Sequence, residues 1–149
     1  MSRRRARTAV LETLYQLESR DEEVFSNFEI LSICREAMGR HNVFQPDAVK
    51  FAETLIQGVW CHKDCLNTTI SQTSRRWAIK RIGRIERALM QMALFEIKGM
   101  EIPRSVAINE AVELTKEYVS EHAASFVNGI LGALVEERDE LPQDGASGP

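Results

Sequence analysis

Four arginines in five positions, Arg3-Arg4-Arg5-Ala6-Arg7, form the densest block of charge in the chain. A guanidinium offers a fork of N–H donors that matches phosphate and carboxylate oxygens. The block contains no acid, and the first carboxylate is Glu12. It takes four of the 19 Lys and Arg residues, leaving 15 against 22 Asp and Glu, so its sign is opposite to that of the remainder. Helix stability does not call for it, because a positive charge near a helix N-terminus opposes the macrodipole by about 0.3–1 kcal/mol at an exposed site. The block therefore points to an anionic partner, with nucleic acid as the first candidate. Phosphate contacts of this kind supply affinity rather than sequence reading. Recognition of single-stranded RNA also uses aromatic platforms for unstacked bases. Phe126 and Tyr118 are candidates, with Lys116 on the same side of the turn between the last two helices, although both rings also fall on core-facing arcs.

Other reactive side chains form no comparable constellation. Cys61-His62-Lys63-Asp64-Cys65 places two thiols four apart on one helical face. A zinc site needs a third or fourth ligand, and no second pair stands at ligand spacing. Buried or half-buried thiols are the favoured reading. The sequence shows neither a glycine-rich phosphate loop nor a nucleophile elbow. His41, His62 and His122 have no carboxylate or nucleophile companion by spacing. No residue is assigned a catalytic role, and no metal or cofactor is expected.

The elements that must position the arginines are helical. Residues 3–20 read as one helix, with Ala6, Val10, Leu11, Leu14 and Leu17 on one arc and Arg3 and Arg7 projecting into it. Because unpaired arginines are not buried, the first two turns are expected to overhang the body. Asp21-Glu22-Glu23 reads as a solvated break. Residues 26–39 form a second helical pattern with Phe28, Leu31, Ile33 and Met38, closed by Gly39, His41 and Asn42. A third opens at Pro46 and Asp47, carries Val49, Ala52, Leu55, Ile56, Val59 and Leu66 along one side, and frays in the Ser/Thr-rich stretch near 67–76.

Residues 79–99 are the most apolar helix and belong at the centre. Arg84, Arg87 and Gln91 form its wet strip, while Glu86 and Glu96 fall on its apolar arc, where a carboxylate needs a partner. Gly99 and Pro103 end it. A fifth helix covers 105–119 with Ala107, Ile108, Ala111, Val112, Leu114 and Tyr118 inward. A sixth covers 121–137, in which Gly129 and Gly132 suggest close approach of a neighbouring helix. The expected class is all-α, with six or seven helices in halves of about 3–70 and 75–137. Residues 1–138 form a single domain, followed by a disordered acidic tail over 139–149.

At 149 residues and 44% hydrophobic, the chain is long and apolar enough for a folded core. No apolar run approaches the roughly 20 residues that span a bilayer, and no h-region follows the basic start. Three cysteines without a secretory signal favour reduced thiols and a cytoplasmic location.

Several stretches, in order, resemble the NusB family. They are Arg3-Arg4-Arg5-Ala6-Arg7 with Leu14-Tyr15, Ile85-Glu86-Arg87-Ala88-Leu89 with Ala93-Leu94-Phe95-Glu96, the run from Val106 to Val112, and Phe126-Val127-Asn128-Gly129-Ile130-Leu131. The resemblance covers about residues 3–135. It implies two packed three-helix bundles and a transcription antitermination factor. Such a factor pairs with the small-subunit ribosomal protein that acts as NusE, binds single-stranded boxA RNA of ribosomal RNA operons, and joins the RNA polymerase antitermination complex. It implies RNA contacts at Arg3, Arg4, Arg5, Arg7, Lys116 and Phe126, and partner contacts at Tyr15 and Glu86. On that basis the partner of Glu86 is a basic residue of another chain. A homodimer is also allowed, since some relatives self-associate through the same surface. His122-Ala123-Ala124-Ser125 lacks polar and basic residues that some relatives carry there, so RNA contact at that stretch is expected to be weaker or differently organised. The alternatives are a helical protein-interaction module, or an RNA-binding domain related to RNA methyltransferases. The chain carries no methyltransferase domain, so the standalone factor is preferred.

Overall fold

Seven α-helices and no strand make up the described residues of the computed structural model. It covers 2–20, 24–73 and 82–137, with backbone alone for 135–137. The helices are α1 (Ser2–Glu18), α2 (Asn27–Arg40), α3 (Pro46–Cys61), α4 (Lys63–Thr73), α5 (Arg84–Gly99), α6 (Arg104–Tyr118) and α7 (Glu121–Glu137). The acidic break at 21–23, the stretch 74–81 and the tail lie outside the described residues.

Local signals explain several helix ends. Ser26 opens α2 with a capping box: its hydroxyl accepts the Glu29 N–H at 3.1 Å, and the Glu29 carboxylate accepts the Ser26 N–H at 2.8 Å. Pro46 occupies the first turn of α3, where its missing N–H has no intrahelical partner to lose. Instead of one helix running past Leu66, the chain breaks at His62. Both its backbone N–H (3.0 Å) and its ring Nδ1 (2.9 Å) are directed at the Gly58 carbonyl, while its own carbonyl accepts from Leu66 N–H (2.9 Å) and starts α4. The Ser/Thr residues expected to fray the chain stay helical through Thr73.

α1, α2 and α3 pack on one another as one bundle, and α5, α6 and α7 as another, with α4 laid against α5 and α7. The change of bundle thus comes at His62. α5 is the shared centre: every residue from Ala88 to Glu96 is buried, and α5 touches α1, α3, α4, α6 and α7. Gly58 lets α3 come close to it, because an added Cβ would overlap the Phe95 ring. Gly99 serves the same ring, which lies 2.6 Å from where its Cβ would stand, and the left-handed turn after α5 is made by Glu101 at φ 59.

Several inward and outward assignments change. Gln91 is buried and donates to the Asn67 side chain at 2.7 Å, since α4 covers the strip where it was expected to meet water. Phe28 is 76% exposed, and Ile30, Cys34, Ala37 and Met38 line the buried side of α2. Tyr118 is 43% exposed at the end of α6. Gly132 has open space where a Cβ would stand, and Gly129 is exposed, so close helix approach explains neither position.

Candidate nucleic-acid interface

The arginine block is the first two turns of α1, and it lies on the body rather than overhanging it. Ala6 is fully buried, and Arg7 is 4% exposed. The expectation failed because Arg7, one of the two arginines on the inner arc, has an acid partner far away in sequence, as does its neighbour Arg4. Arg7 makes a forked pair with Glu96 of α5, Nε to Oε2 at 2.8 Å and a terminal nitrogen to Oε1 at 2.7 Å. Its other terminal nitrogen is 3.5 Å from Glu110 of α6. Arg4 makes a second fork with Glu110, one arm at 2.9 Å and the other through Nε. The order Arg4–Glu110–Arg7–Glu96 ties α1 to α6 and α5 with charge-assisted hydrogen bonds.

Electrostatics follow from this arrangement. The hydrogen bond from Arg4 holds the Glu110 carboxyl below its ordinary value against the effect of partial burial, and the same bond raises the Arg4 guanidinium. Burial pushes the Glu96 carboxyl up, opposed by the hydrogen bonds and charge of Arg7. Glu96 thus has the partner its apolar arc demanded, within the same chain. Glu110 had no comparable signal, since it sits at an ordinary half-exposed position of α6.

Arg3 and Arg5 are exposed and make no ion pair among the described residues. The Arg3 guanidinium lies 4.5 Å from the centroid of the Phe51 ring on α3, and Arg7 lies 4.9 Å from the same ring. The wet face of the helix start therefore carries Arg3, Arg5 and the outer edge of Arg4. α6 meets the block through Glu110; farther along it Lys116 is exposed and donates to Glu113 at 3.3 Å. Phe126 is half-buried in α7 and packs against the core.

Tyr15 is 46% exposed on a groove formed with Thr8, Leu11, Glu12 and Gln16 of α1, Ser19 just after it, Arg40, Ile85 and Tyr118. The Arg84 guanidinium lies 5.5 Å from the Tyr15 ring centroid. Glu86 follows Ile85 but is half-buried, with its carboxylate folded against Gly83. On the groove wall, Glu12 accepts from Arg40 at 3.0 Å and from His41 Nε2 at 2.5 Å. Cys61 is exposed, Cys65 half-buried and Cys34 buried, all as free thiols. Among the described residues no three His, Cys, Asp or Glu side chains gather as a metal site, and no helix is long and apolar enough to cross a membrane.

Comparison with known proteins gives one consistent answer. The Transcription antitermination protein NusB of Myxococcus xanthus is 40% identical over 131 residues, which is 87% of this chain and 91% of that one. Its counterpart in Syntrophus aciditrophicus is 38% identical over 133 residues, 89% of this chain and 78% of the other. Among solved structures, NusB of T. maritima superimposes with a TM-score of 0.78 at 30% identity, over 92% of each chain. A crystal structure of antitermination factors NusB and NusE in complex with dsRNA has the same fold, with a TM-score of 0.78 at 24% identity, over 92% of this chain and 98% of that one. The sequence pattern of the NusB family runs through residues 4–136, from the arginine-rich start of α1 to the end of α7, and the chain belongs to that family of antitermination factors.

Proposed function

We propose that the chain is a non-enzymatic, cytoplasmic antitermination factor. It binds single-stranded boxA RNA of nascent ribosomal RNA transcripts, paired with the small-subunit ribosomal protein that acts as NusE, within the RNA polymerase elongation complex. The observation that carries the reading is the division of labour in the arginine block. Arg4 and Arg7 are held by Glu110 and Glu96, and they fix the helix start so that Arg3 and Arg5 project from an otherwise acidic protein. Exposed guanidiniums without an acid partner suit phosphate oxygens. In this reading Arg3 and Arg5 grip the backbone, Arg4 adds its outer edge, and Arg7 positions the helix rather than touching RNA. Lys116 extends the basic contact along α6, and Phe126 receives a base at the start of α7. Tyr15 and Glu86 meet the ribosomal protein, with the Tyr15 groove as the contact area. The solved complex of NusB and NusE with dsRNA supports NusE and RNA as the two kinds of partner.

Anisotropy titration of labelled boxA RNA at several salt concentrations tests the arm. Arg3→Ala with Arg5→Ala is expected to weaken binding and to flatten the log–log salt slope by about 0.7 for each phosphate that is no longer neutralised. Unchanged affinity and slope would overturn the reading. Loss of ribosomal-protein binding in Tyr15→Ala, with RNA binding by the free chain retained, checks the groove separately.

A further inference from the structure

Phe44 is 69% exposed in the connection between α2 and α3, yet that connection is short and pinned at both ends. On the α2 side, Asn42 takes the left-handed conformation (φ 57), and the Val43 N–H reaches the Met38 carbonyl at 2.9 Å. Val43 itself is buried, which anchors the turn in the core. On the α3 side, Gln45 is the cap residue and Ala48 is buried. Phe44 stands between these anchors with its ring in water, which forgoes the burial that an aromatic side chain ordinarily gains. Its position is specific. The Gln45 side chain accepts a hydrogen bond from the Ser2 hydroxyl at 3.0 Å, which ties the connection to the first turn of the arginine block. The next residue, Arg3, lies over Phe51 of the same α3.

We propose that Phe44 is a base-stacking platform of the RNA site, so that a strand held by Arg3 and Arg5 lays an unpaired base on the Phe44 ring. The proposal rests on the reading that the arm binds single-stranded RNA. A pinned aromatic near exposed arginines that have no acid partner among the described residues combines the two contacts that single strands use: phosphates on cations and bases on π-faces. A phenyl ring has no hydrogen-bonding group, so it accepts any base. Stacking requires an unpaired base, so it favours a single strand over a duplex. This site lies on the α3 side of the arm, whereas Lys116 and Phe126 belong to α6 and α7.

The test is an anisotropy titration of the full chain with labelled single-stranded boxA RNA, using wild type, Phe44→Ala, Phe44→Leu, Phe44→Trp and Arg5→Ala. Phe44→Ala and Phe44→Leu are both expected to weaken binding about tenfold, with the salt slope unchanged because the arginines still neutralise the same phosphates. Phe44→Trp retains wild-type affinity and adds a fluorescence signal that RNA quenches. Thermal melts of all the variants should coincide with wild type, since the ring is on the surface. If Phe44→Ala binds as wild type while Arg5→Ala binds more weakly, the platform is disproved and the arm reading stands. If Phe44→Leu keeps full affinity, the contact is not stacking and the proposal falls. If wild type does not bind the RNA, the arm reading fails first and takes the platform with it.

Discussion

Arg7 and Glu96 face each other across α1 and α5 as a buried fork, at 2.8 and 2.7 Å, with side chains only 5% and 2% exposed. A pair this deep gives little net stability over well-packed apolar side chains, but removing one member strands the other charge at a cost of about 3–5 kcal/mol. Arg7→Ala and Glu96→Ala are each expected to fall in that range by urea denaturation. The double variant Arg7→Met with Glu96→Leu is expected to recover most of the loss. A single variant within about 0.5 kcal/mol of wild type would show that the pair does not hold α1 in place.

The pH dependence of stability separates Glu110 from Glu96. Glu110 is held below its ordinary value chiefly by the hydrogen bond from Arg4. Its contribution is therefore complete above the unfolded-state value of about 4.3 and lost as the pH falls through the lower folded-state value. Burial pushes Glu12 up, but the combined hydrogen bonds and charges of His41 and Arg40 bring it down, so it acts in the same direction. Glu96 has the opposite sign, since its raised value means that stability falls as pH rises from the ordinary carboxyl range towards the folded-state value. Glu110→Gln should therefore show a shallower loss of melting temperature on acidification than wild type. An identical acid limb would rule out the Arg4 pair as its source.

Two glycines predict opposite outcomes. At Gly58 an added methyl meets the Phe95 ring between α3 and α5, so Gly58→Ala should destabilise by about 1–3 kcal/mol through overpacking. At Gly132, inside α7, a Cβ meets nothing within 4 Å, so Gly132→Ala should stabilise by up to about 1 kcal/mol through helix propensity. Equilibrium denaturation measures both, and the same sign for the two variants would contradict this packing.

The three thiols should differ in reactivity. Burial pushes the Cys34 thiol up to about 11, with a hydrogen bond to Thr13 opposing it, while Cys61 is exposed. Since the thiolate is the reactive form, a thiol-specific reagent at neutral pH should modify Cys61 promptly and reach Cys34 only on unfolding. Mass mapping of a time course checks the order, and prompt labelling of Cys34 in the folded chain would refute it.

By itself, the sequence determined the helical class, most helix ends and the central place of α5. Those features come from 3.6-residue periodicity, capping residues and proline, all of which act within a few residues. It also determined that the N-terminal arginines are an excess of one sign, and the ordered motifs carried the family. Tertiary structure decided which arginines remain available. Arg4 and Arg7 find their acids 106 and 89 positions away, a distance at which helical periodicity says nothing. The same holds for Gln91, buried because α4 crosses its strip, and for Phe44, whose neighbour Gln45 meets Ser2 at the start of the arm where α1 packs on α3. Charge and pattern are local properties of a chain, whereas pairing and burial depend on what the fold brings alongside.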